Sequence, residues 1–291
     1  NVLLNLLFVL RFGLGVRGVA IATSVSEGFS AMVLFIILLR EEEVLHLELY
    51  HLKIYPKKLL RIFQLGIPAG IQGMLFSISN MVIQSALNSF GSIAMAGATI
   101  AGNVEGFVYI SMNSVSQGML SFTSQNLGAK QYGRINKILK NCILVLFIMA
   151  ILSSAVIALF SKQIAYLYTD SKEAVEYARA RLYIIVYPYF IFGLMDTLVG
   201  GLRGFGCSFE PMVISLVGIC LTRLFYVWVL FPIPFFHGLN QLYIGYPISW
   251  VVTAIGLWFL YRKVRNRFPH TDMPLSLIHI SEPTRLLSIS Y

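Results

Sequence analysis

The sequence predicts an all-α membrane helix bundle, and three observations predict it. Apolar runs of membrane-spanning length recur along the chain. Only 12% of residues are charged while 57% are hydrophobic, against roughly 25% charged in a soluble domain. Lysines and arginines collect in alternate inter-segment stretches rather than spreading evenly. A chain with this much apolar surface has to place it against lipid.

A bilayer core takes about 20 apolar residues as helix. On that unit the segments fall at 1–11 (partial), 18–39, 62–88, 93–121, 141–160, 181–202, 212–235 and 242–261. They amount to seven complete helices and one partial helix. Alternating sides places 40–61, 122–140, 203–211 and the stretch after 261 on one face, with most of the Lys and Arg. By the positive-inside rule that face is cytoplasmic, and so is the C-terminus. The formal charge of +9 is explained this way; no aromatic residues interleave with the basic ones as a nucleic-acid surface requires.

The ends and the middle depart from the pattern. Asn1 opens in mid-helix, as expected of a fragment lacking upstream helices. The stretch 40–61 carries Glu41, Glu42, Glu43 and Glu48 before Lys53, Lys57 and Lys58, then Pro56; it reads as a cytoplasmic amphipathic linker lying on the membrane. After Phe268 the helical pattern is lost, and 269–291 reads as a non-native tail. Cys142, Cys207 and Cys220 have no metal-ligand spacing and are expected as free thiols.

Charges deep in apolar helices cost about 2.5–3.5 kcal/mol each on insertion scales, and by default they mark a polar pathway or a coupling site. Glu105 stands near the centre of 93–121, Asp196 toward the cytoplasmic end of 181–202, and Arg223 mid-way along 212–235. Glu27 on 18–39 is a weaker acidic candidate. Polar residues also repeat at a spacing of four, which stacks them on one helix face. On 62–88 these are Gln72, Asn80, Gln84 and Asn88, with Ser77 beside them; on 93–121 they are Glu105, Tyr109, Asn113 and Gln117. Two such stripes either enclose a wet cavity or join helices by hydrogen bonds. Glu105 either carries a proton, ligates sodium with help from Asn103 or Asn113, or sits protonated in a structural hydrogen bond.

Arg223 needs an anionic partner or water, and Asp196 is the natural choice. Paired, Asp196 is structural or a gate; unpaired, it is a coupling residue. Tyr183, Tyr187 and Tyr189 share its helix. Gly66, Gly70 and Gly73 around Pro68 form a small-residue pattern for close packing or bending. The run of Gly200, Gly201, Gly204 and Gly206 also reads as packing, being too short for a phosphate loop. His46, His51, His237, His270 and His279 are dispersed. No catalytic motif occurs, so enzymatic chemistry, including a lipid-substrate transferase, is poorly supported.

Four stretches in order, GVRGVAIATSVSE (15–27), LGIPAGIQGMLFS (65–77), SQNLGAKQYGRI (124–135) and GGLRGFGCSFEPM (200–212), resemble the multidrug and toxic compound extrusion family. That family is a branch of the multidrug/oligosaccharidyl-lipid/polysaccharide flippase superfamily, and the resemblance is closest to bacterial, clostridial-type members. It implies twelve helices in two six-helix lobes, with alternating access driven by sodium or protons. On that map 1–39 is the end of the first lobe, with part of the fifth helix and the sixth. Residues 40–61 are the linker and 62–268 the second lobe.

The resemblance further implies an antiporter of amphipathic, often cationic organic compounds in the bacterial inner membrane. It implies no cofactor beyond the coupling ion, no nucleic acid and no obligate protein partner. Glu105 looks like the carboxylate that some branches carry on this helix. Asp196 lies about one turn from another family carboxylate. A cation ligand that other branches place after the proline is replaced here by Phe76. Gln72, Asn80, Gln84, Tyr109, Asn113, Gln117 and Arg223 are expected to line the substrate cavity. The alternative within the superfamily is a flippase for lipid-linked sugars or lipids.

Overall fold

The computed structural model describes residues 1–40 and 53–269. The chain divides into two compact units, Asn1–Leu59 and Leu60–Tyr291. Residues 41–52, which hold most of the expected linker, and 270–291, which hold nearly all of the expected tail, lie outside the described residues.

In the first unit, α1 (Val2–Arg11) ends in a π-helical turn, Leu7–Arg11. Gly13 and Gly15, at φ 63° and 51°, turn the chain through the left-handed region that other residues avoid. Helix α2 (Gly15–Arg40) is long and apolar enough to cross a membrane. Its apolar side chains, Phe29 and Leu34 among them, lie largely exposed in this unit, and Glu27 is exposed as well.

The described residues of the second unit form helices joined by short turns. It contains α3 (Pro56–Phe90) from Leu60 onward, α4 (Ser92–Gly128), α5 (Tyr132–Tyr166), α6 (Lys172–Val186), α7 (Tyr189–Gly204), α8 (Phe209–Leu230) and α9 (Leu239–Arg265). With α2, the five longest of these make six helices able to span, and α6 with α7 make a seventh as a bent pair. The count agrees with the sequence reading, but the bounds run longer. Helix α5 has 35 residues, about 52 Å at 1.5 Å per residue, against a hydrocarbon core of about 30 Å. Lys57, Lys58 and Arg61 therefore belong to the first turns of α3, and Arg134, Lys137 and Lys140 to α5. Hydropathy marks where lipid ends, and the helices continue into the headgroup layer.

The segment expected at 181–202 is two helices bent by 49°. Pro188 stands at the break, without the N–H that a continuous helix needs. Helix α6 starts earlier, where Ser171 caps it by accepting the Ala174 N–H at 3.4 Å. Helix α8 is interrupted by π-helical turns at Leu216–Leu221 and Tyr226–Leu230 on either side of Thr222–Phe225.

Helix α4 packs on α5, α6 and α7, and its small-residue seams set the spacing. A Cβ on Gly200 would collide with the Ser116 backbone, and one on Gly204 would lie 2.6 Å from Thr123 Cβ. One on Gly97 would meet the Ala174 carbonyl of α6 at 2.7 Å. Close backbone approach of this kind is how membrane helices gain contact area without a hydrophobic driving force. Gly206, at φ 85°, ends α7: the Cys207 N–H reaches Leu202 O at 3.0 Å and the Gly206 N–H reaches Arg203 O at 2.8 Å. The packing reading of this run holds. The Gly66, Gly70 and Gly73 pattern differs, since a Cβ at any of the three would meet nothing within 4 Å. Those glycines leave α3 free of close contact at that face among the described residues. Pro68 is accommodated inside the helix.

Candidate functional site

A cavity of about 460 Å³ opens within the second unit between α3, α4, α6, α7, α8 and α9. Four charged residues line it, Glu105, Arg181, Asp196 and Arg223, together with Ser77, Asn80, Gln84 and Tyr109. One wall is aromatic. Trp250 lies edge-on to Tyr189 at 5.3 Å between ring centroids and 5.5 Å from Phe192, which lies 5.7 Å from Tyr109. The cavity thus offers ring faces for an apolar body and fixed charges for a polar head.

Glu105 has a partner that the sequence reading missed. Arg181 Nε donates to Oε1 at 2.7 Å and Nη2 donates to Oε2 at 2.9 Å, a bidentate pair with side chains only 11% and 12% exposed. The Arg181 guanidinium also lies 5.3 Å from the Tyr243 ring centroid. Each carboxylate oxygen accepts one guanidinium N–H, so Glu105 is held in an ion pair. The apolar segment 181–202 makes Arg181 its first residue. The earlier start of α6 carries it two and a half turns into the helix, opposite Glu105. A single deep Glu without a visible counter-charge was the available signal, and it pointed to a buried cation on another helix without saying which.

Asp196 and Arg223 line the same cavity but do not form the expected pair. Arg223 Nε donates to Ser249 Oγ at 3.1 Å, and Nη1 donates to Asn80 Oδ1 at 2.7 Å and to Ser79 Oγ at 3.5 Å. Its guanidinium stacks over the Tyr246 ring, 4.3 Å from the centroid. Asp196 Oδ2 accepts from Asn113 Nδ2 at 3.0 Å, and Ser116 Oγ donates to the Asp196 main-chain carbonyl at 2.8 Å. Polar neutral partners supplied by α3, α4 and α9 replace the salt bridge.

The polar stripes divide. Ser77, Asn80 and Gln84 of α3 and Glu105 and Tyr109 of α4 face the cavity, as expected of a wet lining. Gln72 does not. It is buried, donates from Nε2 to Ser215 Oγ at 2.8 Å and accepts from Arg203 Nη2 at 2.7 Å, joining α3 to α7 and α8. It plays the role of interhelical glue. Asn113 orients Asp196 from beside the cavity, while Gln117 and Asn88 are exposed away from it. Tyr189, noted for sharing the Asp196 helix, is in the wall; Phe192, Tyr246 and Trp250 were not foreseen, because an aromatic in a membrane helix reads the same whether it faces lipid or a cavity.

A second cavity of about 430 Å³ lies between α4 and α5, lined by Phe107, Met149, Leu152 and Ile157 among others. Its lining holds no charged residue, in contrast to the four that line the first cavity.

This helical order has counterparts among known proteins. A family model described as MatE matches residues 68–229. The probable multidrug resistance protein YoeA of Bacillus subtilis is 27% identical over 270 residues, 90% of this chain and 58% of the relative. The probable multidrug resistance protein NorM of Thermotoga maritima is 26% identical over 218 residues, 74% and 47% of the two chains. Among solved structures, the Vibrio cholerae MATE transporter VcmN in its bent form matches with a TM-score of 0.76 at 20% identity. An outward-facing multidrug resistance MATE family transporter of the MOP superfamily matches at 0.82 and 18%. Each structural match covers 91% of this chain and 59% of the other. The chain therefore spans less than two thirds of the length of these relatives. The family match covers more than half of the chain, including Asp196, Arg223 and the helices that build most of the cavity, and the chain belongs to the MATE family.

Proposed function

We propose that this chain is part of an ion-coupled antiporter that exports amphipathic organic compounds by alternating access, with Asp196 as the carboxylate that exchanges between coupling ion and substrate. The observation that carries this reading is the unequal treatment of the two cavity acids. Glu105 is neutralised by a bidentate guanidinium, whereas Asp196 accepts a hydrogen bond from the neutral Asn113 amide and faces the cavity. A carboxylate in that position can take a proton, a sodium ion or an organic cation, one at a time. Competition of that kind links entry of one to release of the other. The Tyr109, Tyr189, Phe192 and Trp250 rings would hold the apolar part of the substrate.

The relatives YoeA and NorM, both probable multidrug resistance proteins, support an export role, and the absence of a catalytic motif in the sequence supports transport over enzymatic turnover. We place the protein in a bacterial cell membrane as a multi-pass protein, with the basic end of α9 cytoplasmic. An anionic lipid headgroup would call for several free cationic groups. One of the two cavity arginines is already neutralised by Glu105, so export of organic compounds is favoured over lipid flipping. Efflux of a fluorescent organic cation from cells expressing the full-length transporter tests the reading. Faster loss of dye than in empty-vector cells is expected. Unchanged dye loss together with a cell-envelope defect in the deletion strain would move the assignment to a lipid substrate.

A further inference from the structure

Arg223 is a buried cation for which the described residues provide no carboxylate. It is 3% exposed, yet every hydrogen bond it makes goes to a neutral oxygen: Ser249 from Nε, Asn80 and Ser79 from Nη1. The Tyr246 ring face adds a cation–π contact and no countercharge. Nη2 has no hydrogen-bond partner among the described residues, and the side chain lines the cavity. A guanidinium so placed is anchored on one edge and presents the other to whatever occupies the cavity. Leaving a charged group unpaired in a low-dielectric site costs several kcal/mol, unless water or a ligand restores its partner.

The backbone around it is adapted to this placement. Arg223 sits on the single α-helical turn Thr222–Phe225, between two π-helical turns at Leu216–Leu221 and Tyr226–Leu230. A π-turn adds a residue to the helical repeat and re-aims the side chains beyond it, and such turns concentrate at functional sites. Gly218 lets this part of α8 approach Thr253 of α9, one turn from the Ser249 that receives Arg223 Nε.

Resting on the transport reading above, we propose that Arg223 is an anion subsite of the substrate cavity, taking a carboxylate of the transported compound. The favoured substrate class is then an aromatic zwitterion. Its cationic group exchanges at Asp196, its rings lie on the Tyr189–Phe192–Trp250 wall, and its carboxylate accepts from Arg223 Nη2. The cavity carries one carboxylate and one guanidinium beyond the self-neutralised Glu105–Arg181 pair, and a zwitterion matches both. A simple cation leaves Arg223 unsatisfied.

The test uses a rhodamine zwitterion with a free carboxylic acid and its methyl ester, which share ring system and cation and differ only in the anionic group. Binding to the purified full-length transporter is measured by fluorescence polarisation, independently of transport. The acid is expected to bind about tenfold more tightly than the ester, the scale of one charge-assisted contact in a site that is partly solvated. Arg223→Gln should erase the preference by weakening the acid alone. Asn80→Asp keeps Arg223 in place and gives its Nη1 a carboxylate at an existing contact, so it should also erase the preference and covers the case in which Arg223→Gln does not fold. Equal binding of acid and ester to the wild type, binding of neither, or a preference that survives Asn80→Asp overturns the subsite. Efflux of the ester from cells, scored separately, tests the transport reading whatever the binding result.

Discussion

Arg181 grips Glu105 with two parallel hydrogen bonds, at 2.7 and 2.9 Å, between α6 and α4. That contact reorders the cavity. It gives Glu105 a fixed counter-charge and leaves Asp196 as the cavity carboxylate without a guanidinium hydrogen bond. It also ties α6, on one side of the Pro188 break, to the helix that carries Asn113 and Ser116, the two residues holding Asp196.

Breaking one side of this pair should be costly. Arg181→Gln strands a buried carboxylate, and removal of one partner from a buried pair costs about 3–5 kcal/mol. The double variant Glu105→Gln with Arg181→Gln leaves two amides able to bond each other and should recover much of that loss. Thermal unfolding of the full-length protein in detergent measures both. Equal destabilisation by the single and double variants would mean that the pair is not the source of the effect.

The α4–α7 seam predicts a contrast among glycines. Gly204→Val would drive a branched side chain into Thr123 and should destabilise by about 1–3 kcal/mol. Gly70→Ala on α3 meets open space and should be neutral, or stabilising through the better helix propensity of alanine. The same unfolding assay separates them, and equivalence of the two would contradict the packing account.

Gln72 should behave as structure. Gln72→Leu removes the acceptor from Arg203 and the donor to Ser215, leaving a guanidinium short of a partner. A loss of about 1–3 kcal/mol is expected, with dye affinity in the folded protein changed less than twofold. An affinity loss matching that of a Trp250→Ala variant, expected at about tenfold from lost ring contact, would return Gln72 to the cavity lining.

Fold class and helix order were legible because hydropathy reports directly on the lipid boundary. Asn80, Gln84, Glu105 and Tyr109 were legible as cavity residues because the period of the helix places them on one face. Gln72 has the same period and a different fate: residue spacing fixes a face, but what that face meets depends on Ser215 and Arg203, more than 130 positions away. The partners of the deep charges were illegible for a similar reason. Arg181 reaches Glu105 because α6 begins at Lys172, capped by Ser171, and the pair of helices breaks at Pro188; an apolar-segment count averages over both features. Asp196 and Arg223 were paired on the strength of opposite charge, whereas each meets neutral groups from other helices, Asn113 for the one and Asn80 and Ser249 for the other, and neither charge is balanced by them.

Gradient-driven substrate movement in proteoliposomes tests the central claim most directly. The full-length transporter is reconstituted as wild type, Asp196→Asn and Glu105→Gln, and dye flux is recorded with pH and sodium gradients imposed one at a time. The account predicts that Asp196→Asn binds dye but no longer responds to either gradient. Glu105→Gln, once corrected for its folded fraction, should still respond to the gradient that drives the wild type. Normal coupling in Asp196→Asn, with coupling abolished in folded Glu105→Gln, would contradict it and return the exchange site to Glu105.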